Sequence, residues 1–137
     1  MEKTAYIEIK VDHDAAAVRI SERDDKGTFH LRKVGSVFFD VPKSQKTAAF
    51  IEFVPEILRE LPEGVEKVII TGANMLFRKE AKLSARISNS ELPINVYFMD
   101  RKLARVRWEL NELINDAKIR QSTIWSDISQ WQENDWT

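Results

Sequence analysis

The segment from Ala5 to Val11 reads AYIEIKV, and its apolar and polar residues alternate without a break. Strict alternation is typical of a strand with one buried face, because successive side chains in a strand point to opposite sides. Two similar segments follow at 16–21 and 28–41, after turn-forming residues at 12–14 and 24–27. Short polar turns between alternating segments are typical of hairpins. The first third of the chain therefore predicts a three-stranded antiparallel meander.

The next segment, from Ser44 to Leu61, has apolar residues at helical spacing but contains Pro55. A proline inside a helix removes one backbone hydrogen bond and costs roughly 3 kcal/mol. The spacing favours one kinked helix across this segment. A strand over 47–54, followed by a short helix that begins at Pro55, is the alternative that the pattern leaves open.

Four further elements are predicted beyond Gly64. Short β-branched runs predict buried strands, and apolar residues three or four apart predict helices. The elements are a strand at 65–71, a short helix at about 77–88, a strand at 94–99 and a long helix capped by Asp100. We therefore expect one α/β domain over residues 1–121, followed by a polar tail over 122–137.

Composition narrows the class of protein. The chain has 137 residues, the size of a single domain, and its 43% hydrophobic and 31% charged residues are those of an ordinary globular protein. It has no cysteine, which excludes disulfides, thiolate catalysis and cysteine-based zinc sites. The net charge of -1 gives no overall attraction to nucleic acid or to an anionic membrane. No signal peptide or apolar span is visible, so we expect a cytoplasmic protein without membrane association.

Two segments carry a resemblance to a known fold. The stretch KTAAFIEFVPEILRELPEGVEKVIITGAN (46–74) resembles the first helix and fourth strand of the ribonuclease H-like fold. INVYFMDRKLARVRWELNELINDA (94–117) resembles its fifth strand and final helix. The resemblance covers the chain up to about Gln121 and rests on element order and hydrophobic spacing. It implies a meander followed by alternating helices and strands, all in one mixed sheet of five strands.

The resemblance also implies candidate catalytic carboxylates. Members of this family hold two divalent ions, Mg²⁺ or Mn²⁺, between four acidic side chains. Where the family places an aspartate after the fourth strand, this chain has Gly72. No other cofactor is expected. The matching positions are Glu8 or Asp12 on the first strand, Glu52 on the first helix, and Glu109, Glu112 or Asp116 on the final helix.

Basic residues cluster despite the nearly neutral total. Such clusters suit contact with the phosphates of nucleic acid, and Phe77 or Trp108 is available to stack on a base. The alternative is a solvated helix surface. The first cluster comprises Arg78, Lys79, Lys82 and Arg86, and the second comprises Arg101, Lys102, Arg105 and Arg107.

The tail contains three tryptophans, Trp125, Trp131 and Trp136, among acidic residues. Large aromatic residues of this kind are typical anchors on a protein partner. The alternative is that the tail folds back and its tryptophans cover the sheet of the domain itself. His30, which alternates with Phe29 and Leu31, is interpreted as a surface or structural histidine.

Three hypotheses for function follow. The leading one is a non-catalytic, ribonuclease H-like accessory protein that binds nucleic acid, a protein partner, or both. The second is a metal-dependent nuclease that uses the carboxylates named above. The third is a protein-interaction or oligomerisation module whose basic residues only keep it in solution.

Overall fold

A computed structural model describes residues 3–12, 14–41, 46–72, 95–100 and 106–128. These residues form one mixed six-stranded sheet and two helices. The elements are β1 (Thr4–Asp12), β2 (Ala15–Arg23), β3 (Phe29–Phe38), α1 (Lys46–Arg59), β4 (Lys67–Gly72), β5 (Asn95–Asp100), α2 (Arg107–Arg120) and β6 (Ile124–Asp127). In this part of the chain, neither helix is long and apolar enough to cross a membrane.

The strand order across the sheet is β5-β4-β1-β2-β3-β6. The first three strands pair antiparallel in sequence order, as the alternating segments predict. Strand β4 pairs parallel with β1, and β5 pairs parallel with β4. The predicted α/β class with a single mixed sheet is therefore confirmed, and β1 lies inside the sheet with a neighbour on each edge.

The two helices cover opposite faces of the sheet. On one face, called the α1 face, Ile7 and Ile9 of β1 pack in the same cluster as Val54, Ile57 and Leu58 of α1. On the other, the α2 face, the cluster joins strand β2 to helix α2. It contains Ala15, Ala17, Val106, Leu110, Ile114 and Ala117. Because side chains alternate along a strand, β2 contributes to both clusters, with Ala16, Val18 and Ile20 on the α1 face and Ala15 and Ala17 on the α2 face.

Helix α1 is a single helix with Pro55 inside it, so the alternative of a strand over 47–54 is wrong. The apolar residues around the proline explain the outcome. Val54, Ile57 and Leu58 are all buried against the sheet, and burial of such a side chain contributes about 1.5–3 kcal/mol. Three such side chains outweigh the roughly 3 kcal/mol cost of the proline.

Strand β5 forms where the sequence places it but is less buried than predicted. It lies at the edge of the sheet, and Tyr97 is 53% exposed. Asp100 is the last residue of β5 and does not cap α2, which begins at Arg107. The short helix predicted at 77–88 lies outside the described residues.

A sixth strand, β6, lies within the segment predicted to be a tail. Ile124–Asp127 pairs antiparallel with β3 and places Trp125 opposite Gly35. The ring of Trp125 stacks on Phe53 of α1, with 6.2 Å between centroids and 8° between planes. A four-residue strand is too short for its alternation to be distinguished from a loop, and its position depends on β3. The prediction of five strands is therefore wrong by one.

The turn between β2 and β3 is organised by Asp24. One carboxylate oxygen accepts hydrogen bonds from the backbone amides of Lys26 and Thr28, each at 2.9 Å. The other lies 2.9 Å from Nε2 of His30, which is buried. These interactions, with the His30 hydrogen bond first, lower the pKa of Asp24 below its ordinary value of 3.8. His30 is thus a structural histidine.

We predict that Gly35→Ala destabilises the protein. A Cβ at this position would lie 2.5 Å from Cζ3 of Trp125, so either the ring or β6 must move. The expected loss in the free energy of unfolding, measured by urea denaturation, is about 1–3 kcal/mol. In a Trp125→Ala background the same substitution should cost much less, and equal costs in the two backgrounds would contradict the packing described here.

A second prediction concerns pH. Because the pKa of Asp24 is lower in the folded than in the unfolded chain, its ionised form stabilises the fold above pH 3.8, and this contribution is lost as pH falls through the folded-state pKa. Asp24→Asn should therefore be less stable than the wild type at pH 7, and the difference should shrink in acid. Urea denaturation of both proteins over a range of pH measures this difference in stability. Asp25→Asn, in the same turn, is the control. A difference that stays constant with pH would refute the prediction.

Candidate functional site

A buried ion pair lies at the centre of the α2 face. Glu8 of β1 and Arg19 of β2 are direct neighbours across the antiparallel pair. Arg19 is 0% exposed and Glu8 is 3% exposed, and Nη1 of Arg19 donates to Oε1 of Glu8 at 2.8 Å. A charge removed from water is tolerated only when it is paired and hydrogen-bonded. Each residue therefore depends on the other.

Helix α2 adds a second carboxylate to this pair. Oε1 of Glu109, in the first turn of α2, lies 3.3 Å from Nε of Arg19. The guanidinium group is thus held between a carboxylate below it in the sheet and one above it on the helix. Glu109 is partly exposed, so water screens its attraction to Arg19 more than it screens the attraction between Glu8 and Arg19.

The end of strand β4 borders the ion pair. Thr71 of β4 is the parallel neighbour of Glu8, and Gly72 follows it. Thr71 is fully buried, and its hydroxyl has no hydrogen-bond partner within the described segments. Gly72 stands where the resemblance implies an aspartate. Strand β4 therefore brings a hydroxyl, and no carboxylate, next to Glu8.

The structure unites some of the predicted acidic residues and separates others. Glu8 and Glu109 meet at Arg19, whereas Asp12, further along β1, receives a hydrogen bond from Lys118 of α2 at 3.0 Å. Glu52 is exposed on α1, which covers the opposite face of the sheet. Within the described ranges, no three acidic or histidine side chains are grouped so that they could hold a metal ion.

Helix α2 separates its charges onto two flanks. What we call the basic flank consists of Arg107, Asn111 and Lys118, at positions i, i+4 and i+11 of the helix. What we call the acidic flank consists of Glu109, Glu112 and Asp116. The basic flank faces β1, because Lys10 donates to Asn111 and Lys118 donates to Asp12. Two large apolar side chains are exposed between the flanks. Trp108 is 74% exposed and Ile119 is 82% exposed.

The described residues contain only part of the predicted binding sites. The basic residues Arg78, Lys79, Lys82, Arg86, Arg101, Lys102 and Arg105 lie outside them, as do Trp131 and Trp136. Trp125 packs against the sheet of the domain itself, where it contacts the α1-face cluster. For Trp125, therefore, the tail folds back and its tryptophan covers the sheet of the domain.

Three basic residues of the site, Arg19, Lys10 and Lys118, are not among the candidates that the sequence predicts. Arg19 and Lys10 lie in the alternating segments of predicted strands, where they count only as polar positions. The sequence does contain a sign that Arg19 is buried, because Arg19 directly follows the apolar run AAAV (15–18). All four residues of that run are buried in the structure. The pairing of Arg19 with Glu8 could not be read in this way, because it depends on the register between β1 and β2.

Comparison with known proteins does not assign the chain to a family. No family model matches it, and no curated protein matches it at a significant level. Similarity therefore adds no ligand, partner or reaction to the geometry described above.

We predict that Arg19→Met lowers the free energy of unfolding by about 3–5 kcal/mol, because it leaves the carboxylate of Glu8 buried without its cation. Adding Glu8→Met should restore much of this loss, since two apolar side chains of similar volume can replace a buried ion pair. Urea denaturation of the single and double variants measures both effects. A double variant no more stable than Arg19→Met would show that the pairing is not the cause.

Proposed function

We propose that the protein is a non-catalytic member of the ribonuclease H-like fold that binds nucleic acid as an accessory protein. The observation that carries this proposal is the position of Arg19. Its guanidinium group engages Glu8 and Glu109, the two predicted catalytic carboxylates that come together in the fold.

The topology supports the assignment to this fold. The antiparallel meander, followed by two strands parallel to β1 in the same mixed sheet, agrees with the element order that the resemblance implies. The helices on opposite faces are compatible with it. Strand β6 extends the sheet beyond β3 and is an addition to that arrangement.

The charges at Glu8 argue against metal-dependent cleavage. Two-metal catalysis needs several carboxylates that are free to ligate hard cations. Here one positive charge already lies between Glu8 and Glu109, and Lys118 binds Asp12. A divalent ion would have to displace a buried guanidinium group, which would then lose its partners in a medium of low dielectric.

The basic flank of α2 supports nucleic-acid binding. Arg107 and Trp108 are adjacent and exposed at the start of the helix. In the sequence, they directly follow the basic residues Arg101, Lys102 and Arg105. An exposed tryptophan beside several cations is the combination that stacks on bases while it neutralises phosphates. The acidic flank turns the opposite way, so the overall charge of -1 does not prevent local binding.

The test combines a cleavage assay with a binding titration. Single-stranded, duplex and RNA–DNA hybrid oligonucleotides are incubated with the protein in Mg²⁺ or Mn²⁺, and binding is followed by fluorescence anisotropy over a range of salt concentrations. We expect binding that weakens steeply with salt, and no cleavage. Arg107→Ala should lower the slope of log K against log salt by about one phosphate contact. Trp108→Ala should weaken binding to unpaired strands by about 1–3 kcal/mol.

Asp116→Ala, on the acidic flank of the same helix, is the matched control and should not weaken binding. Metal-dependent cleavage that survives purification and is lost in Glu8→Gln would favour the nuclease instead. Absence of binding at low salt would leave the protein-interaction module as the remaining hypothesis.

A further inference from the structure

Helix α2 packs over only part of the α2 face of the sheet. Along β2, α2 packs on Ala15 and Ala17 and reaches Arg19 through Glu109 in its first turn. Ser21 and Arg23 continue the same face of β2 away from the helix. The opening turn of α2, which carries Trp108, therefore adjoins a stretch of sheet that the helix does not cover.

Aromatic residues from three strands occupy this stretch. In the sheet register, Tyr97 of β5 neighbours Ile69 of β4, which neighbours Tyr6 of β1. Tyr6 contacts Phe29 of β3 edge to face, with ring centroids 4.9 Å apart. Tyr97 is the most exposed of the three rings, and Tyr6 and Phe29 are half-buried. We call these three rings, with Arg23 and Lys67, the open sheet surface.

Two cations lie over the outer rings. The guanidinium carbon of Arg23 is 5.4 Å from the centroid of Phe29, and Nζ of Lys67 is 5.0 Å from that of Tyr97. Neither cation forms a salt bridge with another described residue. Each therefore holds its charge next to an aromatic face, and the turn beside Arg23 carries the carboxylates of Asp24 and Asp25.

A cavity of about 380 Å³ opens at the same place. Thr4, Tyr6 and Arg23 form one side of it, and the turn that contains Asp24, Asp25 and Gly27 forms the other. Lys3 completes the lining and pairs with Glu22 at 3.3 Å. The carboxylate of Asp24 accepts hydrogen bonds from two backbone amides of the turn. The open sheet surface therefore combines aromatic faces, cations and a recess.

We infer that the open sheet surface binds an unpaired stretch of nucleic acid, with bases stacked on its rings and phosphates near Arg23 and Lys67. This inference rests on the proposed function and adds the class of nucleic acid. Rings on a sheet can stack only on bases that are not already paired, so the surface selects single strands over duplexes. The cations complement the charge of the backbone.

The test compares a fluorescein-labelled 15-nucleotide single strand with a duplex of the same length, which is within the site sizes of about 4–16 nucleotides known for such surfaces. We expect the single strand to bind at least about ten-fold more tightly. Tyr97→Ala should weaken single-strand binding by about ten-fold and leave duplex binding unchanged, whereas Tyr97→Phe, which keeps the ring, should bind like the wild type. Lys67→Ala should weaken binding and lower its salt dependence by about one contact.

Two results would overturn the inference in distinguishable ways. If single strand and duplex bind equally and Tyr97→Ala has no effect, while Arg107→Ala still weakens binding, the open sheet surface is not the site and the proposed function stands. If no oligonucleotide binds at low salt, both fail. Circular dichroism of each variant checks that the sheet is intact, and Lys67→Ala preserves the test if Tyr97→Ala does not fold.

Discussion

Strand β1 is paired on both edges, and most of the structure follows from that position. Its odd-numbered residues face α1, and Ile7 and Ile9 supply an apolar surface there. Its even-numbered residues lie on the other face, where the side chain of Glu8 is buried beneath α2. A carboxylate in that place is tolerated only beside a cation that is equally buried. Arg19 supplies that cation from the next strand, and α2 then closes over the pair with Glu109.

The same arrangement links stability to function. Carboxylates that converge on one strand would be the natural ligands of divalent ions, but Glu8 and Glu109 converge on a guanidinium group instead. The ion pair joins α2 to the sheet through Glu109 and at the same time engages Glu8.

Helix α2 has two different apolar surfaces. Leu110, Ile114 and Ala117 form the buried stripe that holds it on the sheet, while Trp108 and Ile119 are exposed on the outside. Single exposed apolar side chains are common on protein surfaces, so Trp108 supports the proposed contact with nucleic acid only together with the exposed Arg107 beside it. The buried stripe and the exposed pair therefore lie on opposite sides of the helix.

Local pattern was sufficient for the meander, for β4 and for the buried stripe of α2, because alternation and helical spacing depend only on residues close together in the chain. The resemblance offered Glu8 or Asp12, and Glu109, Glu112 or Asp116, as candidate site residues, and the pattern left His30 as either a surface or a structural residue. The spacing favoured the helix that contains Pro55 without excluding a strand over 47–54, and it gave no sign that β6 pairs with β3 or that Arg19 joins Glu8 to Glu109. Each of these depends on contacts between distant segments, through strand register and the burial of one element against another. The sequence by itself therefore determined the elements and their faces. Only the tertiary structure decided which charges meet, since the free energy of a buried charge depends on the partners that folding brings to it.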